Sequence, residues 1–252
     1  MERDSENLTY THTTDTLWSE SGKKYQFEKY KPKIEFLKRH FGERFKDIRI
    51  LDVGVGYGVF LHFLENEYDL KKLFGMDPFP KSIEIARKYS SAEICQGDIR
   101  DELWPVGSEP FDVISSFDVV EHLEDPQNFF RKAGKYLGAD GLIIVTTPNK
   151  GFPYRMRSVP GFGIRDTNPT HINVKPPRYW KKLALENGFE IVKAWKGEHL
   201  AHTRIFPKLF RNLCGVFGLD HRRIPLINSF EQSFCMILSV GSLPSAGEKP
   251  ER

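Results

Sequence analysis

Asp52, Gly54, Gly56 and Gly58 occupy alternate positions and read D-x-G-x-G-x-G. Glycine lets a turn take positive φ and approach a ligand closely, and a helix opening after it offers unpaired N–H groups to a polar cofactor. The spacing points to a nucleotide-like ligand, with a purely structural turn as the alternative. A dinucleotide fingerprint would place glycine at position 59, where Val59 stands, so NAD and a nicotinamide dehydrogenase are disfavoured. Asp77 follows 23 residues after Gly54 and precedes Pro78 and Phe79. A carboxylate there can accept from both hydroxyls of a ribose lying across strand ends, with capping of the next helix as the competing role. Asp98 can accept from an exocyclic amine while Ile99 packs against a base, although surface turn chemistry explains Asp98 equally well.

Two histidines are placed for proton transfer, since imidazole is the side chain suited to it near neutral pH. His122 follows a strand, and His171 lies in the long segment after the next one. Holding a loop against the cofactor is the alternative for His122. Glu121 is expected to accept backbone N–H groups. His199 and His202 form H-x-x-H with no further ligand pattern, so no metal is expected. Trp18, Tyr25 and Phe27 precede the first strand, either folding over a cofactor or packing as the apolar face of a helix.

These residues need elements to hold them. Apolar runs at 49–53, 72–77, 92–96, 111–116 and 142–147 read as buried strands, alternating with helical patterns at 57–65, 80–89 and 126–137. Strands alternating with helices imply right-handed crossovers and a parallel sheet covered on both faces. Runs at 189–195 and 233–240 supply two more strands. Residues 148–175, rich in Gly and Pro, form a loop too long for a plain connector and read as a lid, and apolar spacing at 206–217 predicts an amphipathic helix.

The chain has 252 residues, 39% hydrophobic and 28% charged, which suits one elaborated domain or two small ones and excludes disordered and fibrous classes. No apolar run approaches the roughly 18 residues of a membrane span, and the polar N-terminus carries no signal pattern. Three cysteines without C-x-x-C spacing argue against a disulfide framework and fit a reducing cytoplasm. The net charge of +3 conceals an asymmetry: residues 148–178 hold six basic residues against one acid, and 196–231 hold six against three. Positive charge is thus concentrated in two segments.

In order along residues 45–195, the chain carries LDVGVGYG at 51–58, GMD at 75–77, GD at 97–98, FDVISSFDVVEHLEDP at 111–126 and LIIVTTPN at 142–149. This series resembles the class I S-adenosylmethionine-dependent methyltransferases. VEHLEDP at 120–126 and PTHIN at 169–173 resemble the branch with the ubiquinone-biosynthesis O-methyltransferases and many natural-product and sugar methyltransferases. The resemblance implies S-adenosylmethionine as cofactor and S-adenosylhomocysteine as product. It puts the methionyl part on Gly54, Gly56 and Gly58, the ribose on Asp77 and the adenine on Asp98 and Ile99. Asp52, Pro78, Phe79 and Phe117 complete the expected cofactor set.

The expected architecture is a Rossmann-like, seven-stranded, mostly parallel α/β sheet with its last strand antiparallel. Residues 1–45 form an N-terminal helical lid, 46–241 the catalytic domain with cap insertions 148–178 and 196–231, and 242–252 a flexible tail. The expected reaction is methyl transfer to a hydroxyl oxygen of an anionic or amphipathic small molecule, with His171 and His122 as candidate bases. Arg155, Arg157, Arg165, Arg204 and Arg211, with Phe152 and Tyr154, are the candidate acceptor contacts. The rivals are nitrogen or carbon methylation, a nucleic-acid methyltransferase, and a non-enzymatic module at a membrane surface. Nucleic acid is disfavoured as a partner because the cap aromatics form no evident stacking platform. Residues 200–218 could touch an anionic lipid surface, making the cytoplasmic protein peripheral to membrane.

Overall fold

A computed structural model describes residues 14–150, 168–196 and 233–241. Seven strands form one sheet: β1 (Ile50–Val53), β2 (Leu73–Asp77), β3 (Glu93–Gln96), β4 (Phe111–Phe117), β5 (Leu137–Pro148), β6 (Phe189–Lys196) and β7 (Ser233–Val240). Their spatial order is β3-β2-β1-β4-β5-β7-β6. The first five pair in parallel, and β7 inserts antiparallel between β5 and β6. The fold is the one expected from the alternating runs.

Helices cover both faces: α1 (Thr14–Trp18), α2 (Glu20–Phe41), α3 (Val59–Tyr68), α4 (Pro80–Tyr89), α5 (Pro126–Tyr136) and α6 (Pro177–Glu186). The pleat of β5 divides the core. Leu142 and Ile144 join one cluster with Ile34 and Leu37 of α2 and Phe60 and Leu64 of α3. Ile143 and Val145 join another with Phe129 and Phe130 of α5 and Trp180 of α6. Local signals set the helix ends. Ser19 caps α2 by accepting from the Gly22 N–H, and Asp125 caps α5 ahead of Pro126.

The structure moves two expected boundaries. β5 begins at Leu137, five residues before the apolar run, because Leu137 pairs with Phe111 across a register irregularity. Its exposed stretch there gives no burial signal. α3 begins at Val59 because Gly58 is left-handed, at φ 75°. The N-terminal segment buries Tyr30, Ile34, Leu37 and Phe41 of α2 in the core. Trp18 stacks on Tyr89 at 3.7 Å, and Phe27 meets Phe63 edge-on. Most of the expected lid loop, the 206–217 helix and the 242–252 tail lie outside the described residues. Among the described residues, no helix is long and apolar enough to cross a membrane.

Candidate active site

The glycine turn joins β1 to α3 at the carboxyl end of the sheet, and the N–H groups of Gly54 and Val55 both reach the Met76 carbonyl of β2, at 2.8 and 3.0 Å. Gly56 has φ 52°, and nothing lies within 4 Å of where its Cβ would be. The backbone is open to a ligand there, whereas a Cβ on Gly58 would sit 2.9 Å from that of Ala86.

Asp77 closes the other side of this turn. Its carboxylate accepts from the Gly56 N–H at 2.9 Å and the Phe79 N–H at 3.0 Å, one on each oxygen. Each oxygen keeps a lone-pair direction for a further donor. Asp77 thus ties the glycine turn to Phe79, the residue that opens α4 and makes no side-chain cap of its own. Burial raises its pKa, opposed by those two N–H groups, with the Asp98 charge adding to the rise. Asp52 is buried beneath the turn and accepts from the Ser115 hydroxyl at 2.7 Å. Burial pushes it up to about 7, against the Ser115 hydrogen bond and with help from Asp77.

The adenine candidates are engaged locally. Asp98 accepts from the Arg100 backbone N–H at 2.8 Å and pairs with its guanidinium, which holds its carboxyl below the usual range. That is the turn chemistry weighed against adenine recognition. Ile99 is buried in the core beside Trp104, and its carbonyl takes the Lys132 ammonium at 2.7 Å. Pro78 accepts from Gln96 at 3.3 Å. Phe117 meets Tyr30 and Phe60 edge-on, at 5.1 and 4.7 Å.

The two histidines come together. His122 ends the 3₁₀ turn Val120–His122 after β4, and its ring lies 4.7 Å from that of His171. The PTHIN segment is stapled to this turn. The Asn173 N–H donates to the Glu121 carbonyl at 2.8 Å, and its side-chain amide donates to Leu123. His122 Nδ1 donates to the Thr170 carbonyl at 3.0 Å. A carbonyl only accepts, so in the neutral ring the lone pair is on Nε2.

Glu121 is fully buried, and among the described residues no hydrogen bond of good geometry reaches either carboxylate oxygen. Burial, then the Asp118 charge, raise it well above the usual carboxylate range, opposed by its own N–H, Thr147 and Lys29. Donor atoms of Glu121, His122 and His171 all lie within 4.8 Å of one another, a composition that can pass a proton or hold a cation. Sequence reasoning missed this cluster because PTHIN lies far along the chain from VEH. Lys29, which reaches the same rim, carried no motif, and Asp118 lies within the 111–126 motif without being singled out. Phe152, Tyr154, Arg155, Arg157, Arg165, Arg204 and Arg211, like His199 and His202, lie outside the described residues.

A family model described as "Methyltransferase domain" matches residues 23–194. The chain is similar to the ubiquinone biosynthesis O-methyltransferase of Azorhizobium caulinodans, 34% identical over 46% of this chain and 49% of that protein. It is also similar to the enzyme of the same name from Rhizobium rhizogenes, 28% identical over 69% of this chain and 77% of that protein. The match thus spans about half the length of the first relative and about three quarters of the second. A solved S-adenosylmethionine-dependent methyltransferase from Clostridium acetobutylicum has a similar fold, with TM-score 0.56 and 12% identity over 84% of this chain and 92% of that one.

Proposed function

The chain belongs to the methyltransferase-domain family over residues 23–194, and from that membership we propose that it transfers a methyl group from S-adenosylmethionine to a hydroxyl oxygen of a small anionic or amphipathic molecule. The residues present suit that cofactor. Gly56 leaves an open stretch of backbone, and Asp77 offers further acceptor positions beside it for ribose hydroxyls. The first turn of α3 presents N–H groups to the same space. Buried, acid-rich surroundings at Asp52 and Asp77 favour a cation. S-adenosylmethionine supplies, when bound, an electrophilic methyl group on a positively charged sulfur.

The observation that carries the hydroxyl reading is the His122–His171 pair at the rim beside the glycine turn. A hydroxyl loses its proton as its oxygen attacks, and an imidazole with its lone pair on Nε2 can take it. The Thr170 carbonyl fixes the His122 ring for this and stabilises the imidazolium that forms. His171 stands against it as a second proton site. The names of the two relatives support an oxygen acceptor. The basic residues concentrated in 148–178 and 196–231 support a negative charge on it.

The test is S-adenosylhomocysteine release by the purified chain with 3,4-dihydroxybenzoate, its methyl ester, 3,4-dimethoxybenzoate or bulk tRNA as acceptor. We expect release with the dihydroxy acid, less with the neutral ester and none with the dimethoxy compound, which has no free hydroxyl. Release only with tRNA, or equal release with the dimethoxy compound, overturns the reading. His171→Ala should lower turnover by about 10² to 10⁴ while cofactor affinity is nearly kept, and His122→Ala should lower both.

A further inference from the structure

Lys29 of α2 and Asp118 at the end of β4 are joined by an ion pair of 2.7 Å, with the Lys29 side chain only 10% exposed. Asp118 has φ 56°, one of two positive-φ residues other than glycine among those described. Such a conformation persists where its surroundings enforce it. Here β5 does so twice: the Asp118 N–H donates to the Thr146 carbonyl at 3.0 Å, and the Thr146 hydroxyl donates to the carboxylate at 3.1 Å. Lys29 provides the third restraint, on the other carboxylate oxygen.

The residues just after Asp118 carry its position into the chemistry. Val119 packs on the glycine turn so closely that a Cβ on Gly54 would collide with its Cγ2. The turn carrying Glu121 and His122 starts at the next residue. A shift of Asp118 would therefore move one wall of the cofactor turn and the imidazole together. α2 is also built to hold Lys29 in place. The buried Lys33 ammonium, one turn along α2, donates to the Lys29 carbonyl at 2.8 Å. The Lys33 ammonium also lies over the Phe117 ring at 5.7 Å.

Adhesion alone does not need this pair. Tyr30, Ile34, Leu37 and Phe41 already dock α2 through apolar burial, and a part-buried ion pair is a poor source of net stability. We propose that Lys29 is a positioning residue for methyl transfer, its ion pair with Asp118 coupling α2 to the turn that sets His122 against the glycine turn. This rests on the methyltransferase reading above.

The experiment compares Lys29→Met, Lys29→Arg, Asp118→Asn and the Lys29→Met/Asp118→Asn double variant in the full chain. Amide hydrogen exchange is read by mass spectrometry, and turnover is measured with S-adenosylmethionine and 3,4-dihydroxybenzoate. In Lys29→Met, exchange across 117–123 should quicken about tenfold or more while β1 and β5 stay protected. Its kcat should fall about tenfold to a hundredfold, with a smaller rise in KM for S-adenosylmethionine as the Val119 wall of the glycine turn shifts with the imidazole. Lys29→Arg should restore both, and the double variant should be no worse than its worse parent. Unchanged exchange at 117–123, a uniform rise over all strands, or additive losses in the double variant overturns the proposal. The exchange arm needs no acceptor, so it decides the coupling of α2 to the turn even if the hydroxyl reading fails.

Discussion

Asp52, Asp77 and Glu121 are three buried carboxyls whose pKa values are all raised, with burial the largest cause. An acid raised in the native state binds its proton more tightly there than in the unfolded chain, so stability falls as pH rises. For Asp52 the window runs from about 4, the ordinary carboxylate value, to about 7. The melting temperature should therefore decline from pH 5 to pH 8. Asp52→Asn, which keeps an oxygen for the Ser115 hydroxyl, should flatten that decline, leaving the part due to Asp77 and Glu121. A cationic cofactor favours the ionised carboxylates, so S-adenosylmethionine affinity should rise over the same range with proton release. Calorimetric titration in two buffers of different ionisation enthalpy measures that release. Asp77→Ala should weaken binding by about 1.5 to 3 kcal/mol, the loss of a charge-assisted hydrogen bond, without unfolding the chain. Asp52 and Asp77 were legible in the sequence because each is tied to a local pattern, a glycine turn or a strand end. The full burial of the Glu121 carboxylate was not, since burial is set by what packs around a residue.

Among the elements, those with punctuation were read most closely. α5 starts at Pro126 as expected because Asp125 and Pro126 form a capping pair whose effect is local. Asp125 Oδ1 accepts from the Gln127 N–H at 3.1 Å, and Oδ2 meets Arg131. Asp125→Ala should then cost about 1 kcal/mol, lowering the melting temperature by about 2 to 4 °C in a chain of this size, with turnover little changed. Scanning calorimetry reads the first and the S-adenosylhomocysteine assay the second. β5 shows the opposite case. Its first residues include Gly138, Asp140 and Gly141, which carry no strand signal, and they are extended because Leu137 pairs with Phe111. Partner strands override propensity there. The role of α2 was equally hidden: periodicity shows an apolar face, but nothing in it says that Lys29 meets a carboxylate 89 residues away.

For the whole molecule, ligand binding and stability are linked. A ligand that binds only the folded chain stabilises it by about 2.7 kcal/mol at a hundred times its Kd. S-adenosylmethionine and S-adenosylhomocysteine should therefore raise the melting temperature in a concentration-dependent way, and NAD should not; an equal shift with NAD would overturn the cofactor assignment. The sequence by itself determined the sheet, its parallel majority and the place of the glycine turn between β1 and α3. Those follow from short continuous apolar runs, helical apolar spacing and glycines at fixed offsets, signals carried within a few residues. Tertiary structure alone decided which distant groups share a site. It inserted β7 between β5 and β6, stapled PTHIN onto the VEH turn, paired His122 with His171, and brought Lys29 to Asp118. The physical reason is that hydrogen bonds and ion pairs between remote segments depend on three-dimensional distance, which chain spacing fixes only within an element.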